Sequence, residues 1–244
     1  MNERVALITG GAKGIGRGIA LDLAAQGWRI AFCYRTSEAA AQDTARAVTE
    51  RGGQSLAVRC DVSDPAAAQQ LVTQVEQRWG RIDALINGAG PYHRINLFDE
   101  TVDGWNEMFD GNLHPIFYLA KAVAPGMKAR KAGRIINFSM ANADQMISQP
   151  DVTGHYIAKA GVLILTRTLA KLLAPYGITV NAVSPGFIDS GSAPPEELAG
   201  MTKRIPAGYI GTVDDTVAAV RYLLSEDARY VNGANIQISG AWGI

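Results

Sequence analysis

The chain has 244 residues, 48% of them apolar and 19% charged, with 23 Lys and Arg balanced by 23 Asp and Glu. That length suits one large α/β domain with a sizeable core, and the composition excludes a disordered or acidic-tail protein. Zero net charge without a basic stripe argues against nucleic acid as a partner. The longest apolar run, Ala160 to Leu165, is far too short to span a membrane. The chain enters a strand-like run at Arg4, which leaves no room for a signal peptide. Two cysteines, Cys33 and Cys60, fit a reducing compartment better than a disulfide framework. The expectation is a cytoplasmic protein with no membrane segment.

In chain order, strands are expected at Arg4–Thr9, Trp28–Tyr34, Ser55–Cys60, Ile82–Asn87, Arg134–Ser139, Ile178–Ser184 and Asn235–Ser239. Most are continuous apolar runs, the pattern of strands buried on both faces. Helices are expected at Ile15–Gln26, Glu38–Arg51, Pro65–Trp79, Val102–Arg130, His155–Tyr176 and Val213–Leu224. Pro65 after Ser63-Asp64 marks a helix entrance, and Thr212-Val-Asp-Asp215 resembles a capping box. Pro115 should kink the long helix 102–130 by removing the N–H that the Gly111 carbonyl needs. Strand–helix alternation implies parallel strands joined by right-handed crossovers. Nothing divides the chain, so residues 1–244 read as a single doubly wound α/β domain. The irregular stretch Ser190–Gly211 reads as a lid over a site, with its core at about 190–208 bearing Pro194-Pro195 and Glu196-Glu197.

After the first strand comes Thr9-Gly-Gly-Ala-Lys-Gly-Ile-Gly16, leading directly into a helix. Gly10, Gly14 and Gly16 permit a tight turn and close approach of backbone to a pyrophosphate, which the helix N-terminus then meets with free N–H groups. An NAD site usually carries an acid at the end of the second strand to take the ribose 2′-hydroxyl. Here that strand ends Cys33-Tyr-Arg-Thr-Ser37, with no carboxylate before Glu38. Arg35, Lys13 and the Ser37 hydroxyl are instead suited to a 2′-phosphate, so NADP(H) is the expected cofactor.

These residues resemble the short-chain dehydrogenase/reductase family, and the resemblance runs over almost the whole chain. Residues 9–16 look like its cofactor loop, including Ile15, and Cys60-Asp61-Val62-Ser63 like its adenine-contacting turn. Asn87-Gly88-Ala89-Gly90 is similar to its Asn-Asn-Ala-Gly motif. Asn112 matches its helix asparagine and Lys159 its lysine. Asn181-Ala-Val-Ser-Pro185-Gly186-Phe-Ile188 looks like its nicotinamide turn, with Ser190 in place of a threonine that contacts the carboxamide. Pro206-Ala-Gly and Val231-Asn-Gly233 resemble the 3-oxoacyl-carrier-protein reductase branch. The resemblance implies a Rossmann fold with a mainly parallel seven-stranded sheet, order 3-2-1-4-5-6-7, and helices on both faces. It also implies hydride transfer between a nicotinamide and a carbonyl or alcohol carbon, and a homotetramer or dimer built on the long helices. In the family a tyrosine gives the proton, a lysine ammonium lowers its pKa, and a serine orients the substrate oxygen.

Two positions depart from that pattern. Tyr156 precedes Lys159 by three residues, and the four-residue place is held by His155. On a helix those offsets differ in azimuth from Lys159 by about 60° and about 40° in opposite senses. A helix entrance, capped by Thr153, is where the backbone adjusts most easily, so either Tyr156 or His155 is the proton donor. The serine expected after the strand is Met140, and Ser139 stands one place earlier. Catalytic candidates are therefore Asn112, Ser139, Tyr156, Lys159 and His155. No histidine has metal-ligand spacing, and no metal is expected. Three readings follow: NADP(H)-dependent reduction of a 3-oxoacyl thioester or small ketone, an enoyl- or dienoyl-type reductase, and an NADPH-binding subunit or sensor without turnover. The cluster Lys128, Arg130, Lys131 and Arg134 is either an acyl-carrier docking patch or a solvated helix end.

Overall fold

Every residue of β1 (Val5–Thr9) is buried, because the strand sends Ala6 and Ile8 into one apolar layer and Val5 and Leu7 into another. The computed structural model describes residues 4–191 and 195–243, leaving the side chains of 195–197 outside the description. In chain order β1 is followed by α1 (Gly14–Ala25), β2 (Arg29–Tyr34), α2 (Glu38–Glu50), β3 (Gln54–Arg59), α3 (Pro65–Trp79) and β4 (Ala84–Asn87). Then come α4 (Val102–Asn112), α5 (His114–Arg130), β5 (Gly133–Phe138), α6 (Thr153–Leu173) and β6 (Ile178–Pro185). The chain closes with β7 (Ile188–Asp189), α7 (Pro195–Thr202), β8 (Gly211–Thr212), α8 (Val213–Leu224) and β9 (Asn235–Ile238).

Seven strands form one sheet in the order β3-β2-β1-β4-β5-β6-β9, all parallel. This is the expected topology, with β9 in the place of the seventh strand. Side chains of α1 and α8, among them Ile19, Leu23, Val217 and Leu223, pack on one face. Leu71 and Val75 of α3, Leu119 and Val123 of α5, and Leu173 of α6 pack on the other. Each fully buried Leu, Ile or Val contributes about 1.5–3 kcal/mol, and strands apolar on both faces require helices on both sides of the sheet. The strand order reverses at β1, and the crevice beyond the carboxyl ends of β1 and β4 is where such sheets hold ligands.

Three expectations are corrected. The helix 102–130 is two helices that meet at Leu113 (φ −113°, ψ −51°), with Pro115 in the first turn of α5. The proline therefore restarts a helix rather than bending a continuous one. Thr153 is not a cap: α6 begins at Thr153 itself, after Val152, and its hydroxyl donates back to the Gln149 carbonyl. The stretch 190–211 is not wholly irregular, since it holds α7 and contributes β8, which pairs with β7. Residues 192–194 of that lid, and with them Pro194, lie outside the described residues, as do the side chains of Pro195, Glu196 and Glu197.

Candidate active site

A crevice of about 690 Å³ runs from the phosphate loop across the ends of β2 and β3 to α4. Backbone shape makes its floor. Gly10 sits at φ +69°, and a Cβ there would lie 3.1 Å from the Ala89 Cα, while a Cβ on Gly16 would lie 2.3 Å from the Gly10 carbonyl oxygen. The Thr9 hydroxyl accepts from the Gly88 and Ala89 N–H groups at 3.1 and 3.0 Å, tying the loop after β4 to the end of β1. Glycine at 10 and 16 therefore lets the loop pack against the turn after β4 and lets α1 start hard against the loop.

Lys13, Arg35, Ser37, Asp61 and Val62 line this crevice with Gly10, Ala89 and Gly90. Asp61 accepts from both the Ser63 N–H and its hydroxyl. These bonds and the nearby Arg35 guanidinium hold its carboxyl below the usual range, against the opposing effect of burial. Gly14 and Ser190 line a second cavity of about 1170 Å³ beside the loop, which Lys13 also borders. Ile15 and Gly16 lie within the first turn of α1, Gly16 buried. Pro185 ends β6 and Ile188 begins β7. Between them Gly186 lies so near Ser239 that a Cβ would be 3.0 Å from its Cα. Asn87 is buried beneath, donating to Asn137 Oδ1 at 2.8 Å.

At the other end, Asn112, His155 and Lys159 gather around Gly90 and Pro91. Asn112 Nδ2 donates to the carbonyls of Pro91 and Met108, and its buried Oδ1 has no partner. A Cβ on Gly90 would lie 2.2 Å from that oxygen and 3.6 Å from Lys159 Nζ. His155 Nδ1 lies 3.2 Å from the Pro91 carbonyl, which can only accept, so Nδ1 carries the proton and Nε2 is left as acceptor. Its ring meets Tyr92 edge-on at 5.0 Å. Burial and the Lys159 ammonium push the His155 pKa down to about 3, so the imidazole is neutral. Lys159, buried and donating to the Phe138 carbonyl at 2.9 Å, has its pKa lowered by desolvation to about 8.

Neither candidate hydroxyl joins this group. Ser139 donates to the Lys159 carbonyl at 2.8 Å. Tyr156 donates to the Asn142 carbonyl at 2.8 Å and accepts from the Ile147 N–H at 3.2 Å. Met140 packs against Ala143, Leu163 and Ala182. The turn that receives the phenol holds Asn142 and Met146 at φ 62° and 54°. It is tied to the C-terminal segment by Gln145 and by Asp144, which accepts from Gln237 at 3.1 Å.

A family model described as "Enoyl-(Acyl carrier protein) reductase" matches residues 10–241. The 3-oxoacyl-[acyl-carrier-protein] reductase of Synechocystis sp. is 33% identical over 241 residues, covering 98% of this chain and 97% of that protein. Its counterpart from Staphylococcus aureus is 34% identical over 238 residues, 96% of each chain. The chain belongs to the short-chain dehydrogenase/reductase family. The structure of levodione reductase superposes with a TM-score of 0.91 at 29% identity, covering 98% of this chain and 97% of that one. Acetoin dehydrogenase from Salmonella typhimurium gives 0.89 at 29% identity with the same coverage.

Against the pattern that the resemblance implies, the expected crevice residues line one cavity, and the expected serine and tyrosine hydroxyls are bonded to backbone groups. The crevice suits a dinucleotide by its lining, with the glycine loop at Gly10 beside Lys13 and Arg35, and the orphaned Oδ1 of Asn112 stands near Gly90 at its far end. Asn112, His155 and Lys159 come together; Ser139 and Tyr156 are drawn off to backbone groups. Sequence reasoning missed Pro91, whose carbonyl holds both Asn112 and His155, although the proline follows the 87–90 motif directly. It also missed Asn137, which links Asn87 to Thr166; an amide inside an apolar strand was the available signal. The basic cluster is largely engaged: Arg130 donates to the Ile82 carbonyl, Arg134 pairs with Glu226, and Lys128 lies over the Tyr176 ring. These contacts favour the helix-end reading over a docking patch.

Proposed function

We propose that this protein is an NADP(H)-dependent oxidoreductase that reduces the carbonyl of a 3-oxoacyl thioester or small ketone. The observation that carries the reading is the crevice itself, where Lys13, Arg35 and Ser37 stand at two successive strand ends and no carboxylate occupies the end of β2. Basic and hydroxyl donors there recognise a 2′-phosphate. The kinship with 3-oxoacyl-[acyl-carrier-protein] reductases supports the carbonyl substrate. When bound, the dinucleotide supplies a hydride. The chain must then place the carbonyl and provide one proton.

Lys159 gives that proton in this reading, with a neutral His155 beside it as an acceptor. At neutral pH His155 is neutral and Nε2 accepts, whereas the Lys159 ammonium holds a proton with a pKa of about 8, close enough to ambient pH to give it up. Asn112 Oδ1, a buried acceptor beside Gly90, steadies a donor next to the ammonium. Tyr156 holds the turn 142–147 instead of the substrate. The protein acts in the cytoplasm as a homo-oligomer, a tetramer or dimer. Exposed Phe117 on α5 and Ile157, Ile164 and Leu172 on α6 supply an apolar face that supports assembly.

One set of observations favours a second reading, an NADPH-binding subunit without turnover: both candidate hydroxyls are engaged by backbone groups and Met140 stands at the serine position. NADPH oxidation against ketones, 3-oxoacyl thioesters and enoyl thioesters, with parallel fluorescence titration of NADPH, separates the two. We expect turnover on a carbonyl, retained within about threefold by Tyr156→Phe and reduced at least about 100-fold by Lys159→Met, the scale of lost acid–base assistance. Loss of turnover in Tyr156→Phe would return the proton to the phenol. Tight NADPH binding with no turnover on any member selects the second reading, and turnover on enoyl thioesters alone rejects carbonyl reduction.

A further inference from the structure

Arg35 and Glu107 face each other across the mouth of the crevice, one at the end of β2 and the other on α4. Arg35 Nη2 lies 3.6 Å from Glu107 Oε1, and Nη1 lies 4.0 Å from Asp61 Oδ2. Both separations exceed hydrogen-bond length, so the two carboxylates hold the guanidinium by charge while leaving its N–H fork unspent. Glu107 has a second neighbour: Oε2 lies 3.3 Å from His93 Nε2, and His93 Nδ1 lies 3.5 Å from Glu100 Oε2. Asp61, already bonded to Ser63 and farther away, is the lesser competitor.

We infer that Glu107 is a specificity-determining residue for the dinucleotide, a carboxylate that competes with a 2′-phosphate for Arg35. The inference rests on the NADP(H) reading above. A phosphorylated ribose engages the Arg35 fork against the charge attraction of Glu107, whereas a 2′-hydroxyl makes no such demand. Glu107 thus lowers affinity for NADPH and leaves NADH alone, narrowing the discrimination between them. The pair is solvent-exposed, 59% at Arg35 and 38% at Glu107, so its effect is on the scale of a surface ion pair.

The test is fluorescence titration of NADPH and NADH against wild type, Glu107→Gln, Arg35→Ala and the double variant. Asp99→Asn, which removes a charge outside the crevice lining, serves as the control. Glu107→Gln is expected to tighten NADPH by about two- to fivefold with NADH unchanged, Asp99→Asn to change neither, and the gain to disappear in the Arg35→Ala background. Unchanged or weaker NADPH binding in Glu107→Gln overturns the inference. So does equal tightening of NADH, or a gain that persists without Arg35, since either makes Glu107 a general repulsive charge. If Arg35→Ala leaves NADPH affinity untouched, the NADP(H) reading fails and takes the inference with it. If Arg35→Ala weakens NADPH but Glu107→Gln gives no gain, Glu107 alone has been misassigned.

Discussion

His155 and Lys159 share one face of α6, and the cost of two positive charges there falls on the imidazole. The His155 pKa is about 3 in the fold against 6.5 for an exposed histidine, first through burial and then through the Lys159 charge. Below pH 6.5 the unfolded chain takes up a proton that the folded chain refuses, so the stability tied to this residue is lost as pH falls from 6.5 toward 3. Between pH 6.5 and 4.5 that amounts to about 2–3 kcal/mol. Urea midpoints measured over that range should fall less steeply for His155→Phe than for wild type. Parallel slopes would mean that the histidine is solvated and protonated, and the neutral-imidazole assignment would be withdrawn. Sequence alone placed His155 four residues before Lys159 but could not fix its state. Protonation depends first on burial, which comes from packing and not from the spacing to Lys159.

Helix entrances carry much of what can be read locally. At Thr212 the side chain accepts from the Asp215 N–H while Asp215 accepts from the Thr212 N–H, the reciprocal cap that the sequence suggested. Thr212→Ala should cost about 1 kcal/mol and lower the melting temperature by about 2–4 °C. A melt identical to wild type would show that α8 is held by its buried Val217, Val220 and Leu223 alone. Strands, caps and the phosphate loop were legible because each follows from near neighbours and a period. The destination of Tyr156 was not. Its hydroxyl is held by a turn whose residues Asn142 and Met146 adopt left-handed conformations, and neither is a glycine that would announce it. The break at Leu113 was half legible: Pro115 signalled an interruption, but the first turn of a new helix also tolerates proline, and only packing chose between them.

At the scale of the whole molecule, topology was the easiest thing to read, since continuous apolar strands alternating with helices leave few parallel arrangements. Assembly is harder, because an exposed apolar side chain looks the same in sequence whether it meets core or partner. Ile164 is 66% exposed and Leu172 is 63% exposed on α6. If this face is shared between copies, Ile164→Glu should lower the sedimentation coefficient toward that of a single chain while leaving far-UV circular dichroism unchanged. An unaltered coefficient would place the contact elsewhere.

No helix among the described residues is long and apolar enough to cross a membrane. The two cysteines are both free, and burial is the main cause that pushes Cys33 up to about 12 and Cys60 up to about 11. Thiolate is the reactive form, so both native sulfurs are expected to react slowly with maleimides near neutral pH, a rate that labelling of the wild-type chain measures. A single cysteine placed on the surface can therefore carry a fluorophore or spin label without first stripping the native pair, and distances across the crevice become measurable on the unaltered fold.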